Sequence, residues 1–154
     1  METARPARDH DMPACLELLA WALTDARSMR GGPALVGNMT PVEILARWMD
    51  AAPADAAVYV GEFQHAVVGL AAATVAVRPH ATELSGRIEC CYVEKEARGV
   101  GVGTALMDSV VAWCGQRACR DVDALALPGD RLSKQRFEGA GFTARLLVLN
   151  RPLN

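Results

Sequence analysis

The sequence lacks the features that mark several classes of protein. No apolar run approaches the length of a membrane span, and the charged first residues, METARPARDHD, contain no apolar signal core. The formal net charge is only -2 at neutral pH, so bulk electrostatics does not favour a nucleic-acid partner. We therefore expect a soluble, cytoplasmic protein that binds neither membranes nor nucleic acids.

Cysteine and histidine are too few and too scattered to predict a metal site. The 5 cysteines are an odd number without C-x-x-C spacing, which argues against both a zinc site and a disulfide framework. We expect reduced thiols that fill small spaces in the core, and no bound metal. Cys90 and Cys91 are adjacent, so a strand would turn their side chains to opposite faces.

The chain does contain enough apolar sequence for a core. It has 154 residues, of which 51% are hydrophobic and 22% are charged, a balance typical of one globular domain. No internal repeat or low-complexity linker divides it. We therefore predict a single domain over residues 1–154.

The pattern of apolar and turn-forming residues predicts an alternation of strands and helices. The first part of the chain is predicted to contain a strand in METARPA, a helix at 11–26 capped by Asp11, a loop at 27–38 and a helix at 40–51 that begins with the TPVE capping box. Three strands are predicted next, at 56–63, 66–77 and 86–93. The last part is predicted to contain a helix from near Gly101 to about Ala118, a strand at 122–127, a helix at 130–140 and a last strand at 142–150. The middle strands form hairpins, whereas the later strand–helix–strand crossover needs parallel neighbours. The predicted fold is α/β, with a mixed sheet flanked by helices.

The segment Arg98–Thr104, which we call the glycine turn, places three glycines between a predicted strand and a predicted helix. The first amides of a helix have no internal partner, and glycines let an anion approach them without meeting a Cβ. Arg98 adds a cation and Thr104 adds a hydroxyl donor. The turn is therefore either a phosphate site or a structural turn that binds nothing.

Two common phosphate motifs do not fit the glycine turn. The NTPase loop requires lysine and then Ser or Thr after its last glycine, whereas Thr104 follows Gly103 directly and no lysine comes next. The dinucleotide fingerprint, G-x-G-x-x-G, belongs on the first strand–helix turn of a parallel sheet, whereas G-x-G-x-G occurs here late in the chain. A nucleotide-binding protein is therefore the least favoured function.

The signature of one family does match. Residues 98–103, RGVGVG, resemble the [QR]-x-x-G-x-[GA] signature of the GNAT family of N-acetyltransferases. The stretch IECCYVEKEARGVGVGTALMD resembles that family's central strand, turn and helix, and SKQRFEGAGFTA resembles its later helix, which ends in Gly141–Phe142. The resemblance implies the GNAT fold and acetyl-CoA as the acetyl donor.

The resemblance also implies where acetyl-CoA binds. The pyrophosphate would lie on the amides of the glycine turn, and the pantetheine arm would pair with the open edge of the preceding strand. The implied residues are Arg98, Gly99, Val100, Gly101, Val102, Gly103 and Thr104 in the turn, and Tyr92 and Val93 through their backbone.

Glu89 is the candidate general base, because several relatives hold a carboxylate at the matching position. Only a neutral amine can attack the thioester, so a base that removes a proton promotes the reaction. A regular strand would place Glu89 on the same face as Cys91 and Val93. The alternative is a structural salt bridge to Arg87 or to a neighbouring strand.

The sequence departs from the family at Phe137. Many relatives have a tyrosine there, four residues before the Gly of the Gly-Phe pair, which acts as general acid toward the departing thiolate. Phenylalanine cannot donate a proton. Three alternatives follow: the thiolate leaves unassisted or through water, Ser133 or Tyr92 donates instead, or the protein does not acetylate.

A second departure concerns the acceptor side. Relatives commonly end in two strands after the Gly-Phe pair, whereas Thr143–Asn154 is long enough for only one. The acceptor side is then either open or completed by a second subunit in a homodimer. The loop at 27–38 lies where the family contacts its acceptor, so Arg27, Met29 and Arg30 are candidate substrate contacts, with an ordinary solvated loop as the alternative.

These observations favour an N-acetyltransferase that transfers an acetyl group from acetyl-CoA to the amine of a small molecule. The alternative function is a GNAT-fold module that binds acetyl-CoA as a sensor or regulator and has lost catalysis together with the tyrosine.

Overall fold

The computed structural model describes residues 1–153. It contains five strands, β1 (Glu2–Pro6), β2 (Ala56–Phe63), β3 (Ala66–Val77), β4 (Leu84–Val93) and β5 (Val122–Ala124), and five helices, α1 (Met12–Arg27), α2 (Gly32–Val36), α3 (Pro41–Met49), α4 (Val102–Gln116) and α5 (Arg131–Gly139). None of the helices in residues 1–153 is long and apolar enough to cross a bilayer.

The strands form one mixed sheet in the order β1-β2-β3-β4-β5. The first four strands are antiparallel neighbours, and β5 runs parallel to β4. The turn between β2 and β3 has positive φ at both Gln64 (50°) and His65 (69°), as the tight hairpin turns that match strand twist require. The predicted α/β fold, with its hairpins and its parallel crossover, is confirmed.

The sheet separates two hydrophobic cores. One face packs on α4 through residues such as Leu106, Met107 and Val110, and the other packs on α1 and α3 through Leu19 and Trp48. We call these the α4 face and the α1 face. Cys91 packs in the first core and Cys90 in the second, which confirms that the two thiols point to opposite faces. All 5 cysteines are free.

The predicted capping box of α3 is confirmed, whereas Asp11 occupies the predicted N-cap position of α1 without a capping hydrogen bond from its side chain. Thr40 Oγ1 accepts from the Glu43 amide, and Glu43 Oε2 accepts from the Thr40 amide. The Asp11 carboxylate does not cap α1, because it binds the Arg5 guanidinium at 2.7 and 3.0 Å and the Arg8 amide at 2.8 Å. These bonds lower the pKa of Asp11 to about 2, and the bond to Arg5 has the largest effect.

The predicted loop at 27–38 contains the short helix α2. The chain turns sharply between α1 and α2, with Gly31 at φ 81°. A Cβ at Gly32 would lie 1.7 Å from the Ala26 carbonyl oxygen, so only glycine allows the two helices to meet this closely. A five-residue helix is too short to produce an apolar period that the sequence could reveal.

The predicted last strand at 142–150 is wrong. Residues 142–150 have no strand partner in the structure, and Leu146 and Leu149 are 82% and 91% exposed. Strand β5, their expected neighbour, is only three residues long instead of the predicted six at 122–127. The side chain of Arg145 binds Asp123 at 2.8 and 2.9 Å, so an ion pair rather than backbone pairing attaches this segment beside β5.

Candidate active site

The central feature of the site is an open edge on β4. Its pairing with β5 covers only Gly86 to Ile88, whereas its pairing with β3 continues to Val93. Residues 89–93 therefore have a strand on one side and none on the other. We call this segment the open edge. Backbone groups on an unpaired edge can pair with an extended ligand that carries amides.

Arginine side chains hold two carbonyls of the open edge. Arg136 Nη1 donates to the Cys91 carbonyl at 2.8 Å, and Arg98 Nε donates to the Val93 carbonyl at 2.9 Å. These two carbonyls are therefore directed away from β3. The backbone contacts expected at Tyr92 and Val93 stay a prediction, since the Cys91 and Val93 carbonyls each already accept a hydrogen bond from an arginine side chain.

The glycine turn follows the open edge and begins α4. Gly99 and Gly101 have φ of 86° and 94°, a region that other residues rarely adopt. Gly101 is the N-cap of α4, and neither a capping side chain nor an acidic residue occupies the first turn. No side chain caps the first amides of α4, and the helix dipole favours an anion there. The Glu2 carboxylate of β1 lies close to this point, because a Cβ at Gly101 would be 3.3 Å from Glu2 Oε1. The structure brings Gly99 to Thr104 together at this helix start.

Arg98 is not a free cation at the turn. Besides its bond to the Val93 carbonyl, its Nη2 lies 4.0 Å from Asp25 Oδ2 on α1, and its guanidinium lies 5.5 Å from the centre of the Tyr92 ring. Burial and the nearby Asp25 raise the pKa of Tyr92, so its hydroxyl stays protonated at neutral pH. Arg98 therefore ties the end of β4 to α1.

Arg136 is a site residue that the sequence analysis missed. Its guanidinium contacts the open edge through the bond to the Cys91 carbonyl. It also lies against the glycine turn, since a Cβ at Gly103 would be 3.0 Å from Arg136 Nε. Its Nη1 is also 3.7 Å from Cys91 Sγ. The only sequence signal is a charged residue next to Phe137 on a helix that resembles the family's later helix.

Glu89 lies at a β-bulge. Ala72 pairs with Cys90 and Ala73 pairs with Ile88, so Glu89 is the extra residue in β4. A bulge re-aims a side chain and changes the alternation of faces. Ile88 consequently packs on the α4 face together with Cys91 and Val93.

The bulge turns Glu89 toward the α1 face. Its Oε1 accepts from Thr74 Oγ1 at 2.7 Å, and Thr74 lies between Ala73 and Val75, which both pack on the α4 face. Thr74 therefore points to the opposite side of the sheet. The expectation that Glu89 shares a face with Cys91 and Val93 is wrong, because a bulge is invisible in the residue pattern.

Glu89 also lies near Arg87, as the alternative predicted. Arg87 Nε is 3.9 Å from Glu89 Oε1, and the two side chains are 50% and 28% exposed. A pair this long and this exposed contributes little to stability. Both roles of Glu89, base and ion-pair partner, therefore stay open on geometry alone.

A cavity of about 850 Å³ lies beside the open edge and extends over the α1 face. It is lined by the open edge, by Arg98, by residues from α1, α2 and α3, and by Arg136 with its neighbours on and before α5. The three glycines of the glycine turn lie outside this lining. The carboxylate of Glu89 belongs to this lining, and so do Ser133 and Tyr92, the two replacement proton donors considered above.

The remaining predicted residues divide clearly. Phe137 packs against Phe142, with ring centres 5.4 Å apart, and supplies no donor. Met29 lines the cavity, whereas Arg27 and Arg30 do not; Arg27 Nη2 binds the Met39 carbonyl at 3.2 Å. Within residues 1–153, no cluster of three His, Cys, Asp or Glu side chains could hold a metal ion.

Together, the mixed sheet, the open edge of β4 and the glycine turn are consistent with one class of protein. The chain belongs to the acetyltransferase (GNAT) family, whose model matches residues 17–142. The family assignment inferred from the glycine turn is confirmed.

Solved structures show the same fold at low sequence identity. An acetyltransferase from Trypanosoma brucei is 22% identical with a TM-score of 0.70, covering 99% of this chain and 100% of that one. A predicted acetyltransferase from Clostridium acetobutylicum, solved with acetyl-CoA, is 21% identical with a TM-score of 0.72, covering 97% of this chain and 96% of that one. A mutant protein from Bacillus halodurans is 12% identical with a TM-score of 0.81, covering 98% and 99%. No curated protein matches significantly.

Proposed function

We propose that this protein transfers an acetyl group from acetyl-CoA to the amine of a small molecule, by direct attack in a ternary complex, within one domain spanning residues 1–154. The observation that carries this proposal is the open edge of β4, joined to the glycine turn by only the short segment Glu94–Ala97. One extended ligand with amides at one end and phosphates at the other fits both features. Acetyl-CoA has this composition.

We infer which residues such a ligand would contact. The pantetheine amides would pair with the open edge around Tyr92 and Val93, and the pyrophosphate would lie on the amides from Gly99 to Thr104, beside Arg98. Arg136, which lies against Gly103, would add a second cation. A charged donor beside an anion forms stronger hydrogen bonds than a neutral one.

Direct attack is favoured because the site contains no cysteine ready to act as nucleophile. The nearest thiols, Cys90 and Cys91, are both more basic than usual, since burial raises the pKa of Cys90 to about 12 and also raises that of Cys91. A protonated thiol is a poor nucleophile. The amine nitrogen therefore attacks the thioester carbon itself, the C–N bond forms and the C–S bond breaks.

Glu89 is assigned as the base in this step. Its carboxylate lines the cavity on the α1 face and takes the proton that the amine loses. The electron pair of the broken C–S bond leaves with the thiolate. The protonated hydroxyl of Tyr92 and the hydroxyl of Ser133 are the available donors in place of the tyrosine that Phe137 replaces.

A second candidate function rests on Phe137. Its packing against Phe142 leaves the expected proton donor absent, which suits a module that binds acetyl-CoA without turning it over. Calorimetry with acetyl-CoA, followed by thiol release with a panel of amines, separates the two functions. Binding with thiol release supports the enzyme, binding without release supports the sensor, and no binding overturns both.

Two further features support proposals about the oligomeric state of the protein and its location in the cell. The exposed apolar run Leu146–Leu149 supports a homodimer, because a second subunit could cover it. The 5 free cysteines support the cytoplasm, where thiols stay reduced. Sedimentation of the intact chain measures the first proposal.

A further inference from the structure

The wall of the cavity formed by α1, α2 and α3 is almost entirely apolar. We call its main members, Leu23, Met29, Leu35, Val36, Met39 and Trp48, the apolar wall. Between residues 19 and 51, the only charged side chains that line the cavity are Asp25 and Arg47. Asp25 Oδ2 lies 4.0 Å from Arg98 Nη2, and Arg47 is exposed. The wall thus has almost nothing to offer a polar acceptor.

Glu89 lines the same cavity, as do Asp55 and Asp130. Asp130 caps α5 through the Ser133 amide, and Arg87 lies 3.9 Å from the Glu89 carboxylate. The bulge in β4 turns the Glu89 side chain to the α1 face, where Thr74 holds it through a 2.7 Å hydrogen bond. A cationic ammonium group is attracted to a carboxylate, while a hydrocarbon body gains free energy by leaving water. An acceptor with both parts would satisfy the two sides of the cavity at once.

We propose that the acceptor is a primary amine on a hydrophobic body, either a long alkyl chain or an aryl-alkyl group. The amine lies at Glu89, and the body packs on the apolar wall. This inference rests on the proposed function and names its substrate class. The acetyl donor approaches along the open edge of β4, so the apolar wall is left for the acceptor rather than for the acyl group.

The test is a series of n-alkylamines from ethylamine to hexylamine, assayed with acetyl-CoA by thiol release. These amines share nearly the same basicity, so differences in kcat/KM report the cavity and not the nucleophile. Each added methylene should raise kcat/KM by about threefold to fourfold, the gain that burial of one CH₂ gives. Ethanolamine and putrescine, which carry a polar end, should be poor acceptors.

A pair of variants locates the effect. Leu35→Asp places a charge on the apolar wall at a side chain that is already 46% exposed, so the fold should tolerate it. The gain per methylene should fall to less than twofold in this variant. Val42→Asp is the matched control, because Val42 is 62% exposed on α3 and does not line the cavity. It should keep the wild-type gain.

Three outcomes would overturn the inference. The first is a kcat/KM that stays constant or falls along the alkylamine series, and the second is a polar amine with a higher kcat/KM than hexylamine. The third is a preference for hexanoyl-CoA over acetyl-CoA with ethanolamine as acceptor, which would show that the acyl group binds the apolar wall. Calorimetry of propylamine and hexylamine on the CoA-bound protein adds a readout without turnover. Tighter binding of hexylamine without thiol release would retain the acceptor class and reject the acetyltransferase. Acetyl-CoA turnover with polar amines alone would retain the acetyltransferase function and reject the proposed acceptor class.

Discussion

Arg136 on α5 donates a 2.8 Å hydrogen bond to the carbonyl of Cys91 on the open edge of β4. The same guanidinium lies against Gly103 at the start of α4. One side chain therefore links the two places where the arm and the pyrophosphate of acetyl-CoA are proposed to bind.

The first prediction concerns this arginine. Replacing Arg136 with Met should weaken acetyl-CoA binding by on the order of 10-fold, because a charged hydrogen bond to the pyrophosphate is lost. Arg136→Lys should recover part of the affinity, since it keeps the charge. Calorimetry at low and high salt measures both effects, and the loss should shrink at high salt. Lys134→Met, on the same helix but outside the cavity lining, is the control. Tighter binding by Arg136→Met would show that Arg136 competes with the ligand instead.

The second prediction concerns Gly103. Its φ is not in the left-handed region, and the three atoms nearest to a Cβ there all belong to the movable end of Arg136, so Gly103→Val should fold normally. The added side chain should nevertheless block the anion from the amides and reduce acetyl-CoA affinity at least 10-fold. Gly101→Val is a poorer test, because a φ of 94° would strain the backbone as well. Gly115→Val, at the far end of α4 with nothing within 4 Å, should bind like the wild type. Unchanged affinity in Gly103→Val would reject the glycine turn as the phosphate site.

Sequence patterns predict those parts of this protein that depend on local chemistry. The alternation of apolar residues gives β2 and β3 at their observed bounds, and two of the three glycines of the turn, Gly99 and Gly101, have the positive φ that favours glycine. Both signals come from the energetics of a few adjacent residues.

Patterns fail where a distant partner decides the structure. The bulge at Glu89 depends on the register with Ala72 and Ala73, so its face cannot be derived from β4 alone. The same reason hides Arg136, whose contacts with Cys91 and Gly103 join three separate elements. An apolar segment at 142–150 likewise predicts a strand only if an edge is there to pair with it.

The third prediction concerns acid stability. The carboxylate of Asp11 is buried and binds Arg5, which lowers its pKa from 3.8 to about 2. A depressed pKa in the folded state contributes stability that is present above about pH 4 and is lost as the pH falls toward 2. Asp11→Asn should therefore lower the Tm at pH 7 by a few degrees. Thermal melts from pH 7 to 2 should show the difference from wild type shrinking below about pH 4. A difference that stays constant over this range would reject the ion pair as its cause.

The fourth prediction concerns Phe137. Restoring a hydroxyl with Phe137→Tyr should leave turnover similar or raise it modestly, because a thiolate leaves tolerably without an acid. Phe142→Tyr adds the same hydroxyl to the neighbouring ring and should not raise turnover. Thiol release under saturating acetyl-CoA measures both. A folded Phe137→Leu variant with normal acetyl-CoA affinity and no turnover would show that the ring has a role beyond packing.

The last prediction separates the two roles of Glu89. As a base, it removes a proton from an amine that is mostly protonated at neutral pH, so Glu89→Gln should lower kcat/KM by on the order of 10²-fold while acetyl-CoA binding stays intact. The loss should diminish at high pH, where the free amine no longer needs a base. Arg87→Gln supplies the matched control, because it removes the other half of the 3.9 Å pair and leaves the carboxylate in place. If the pair were structural, both variants would lose stability and turnover together. If Glu89 is the base, only Glu89→Gln should show a loss of kcat/KM that diminishes at high pH. Wild-type turnover of Glu89→Gln across the pH range would leave Glu89 without a catalytic role and require the base to be sought among other groups of the cavity.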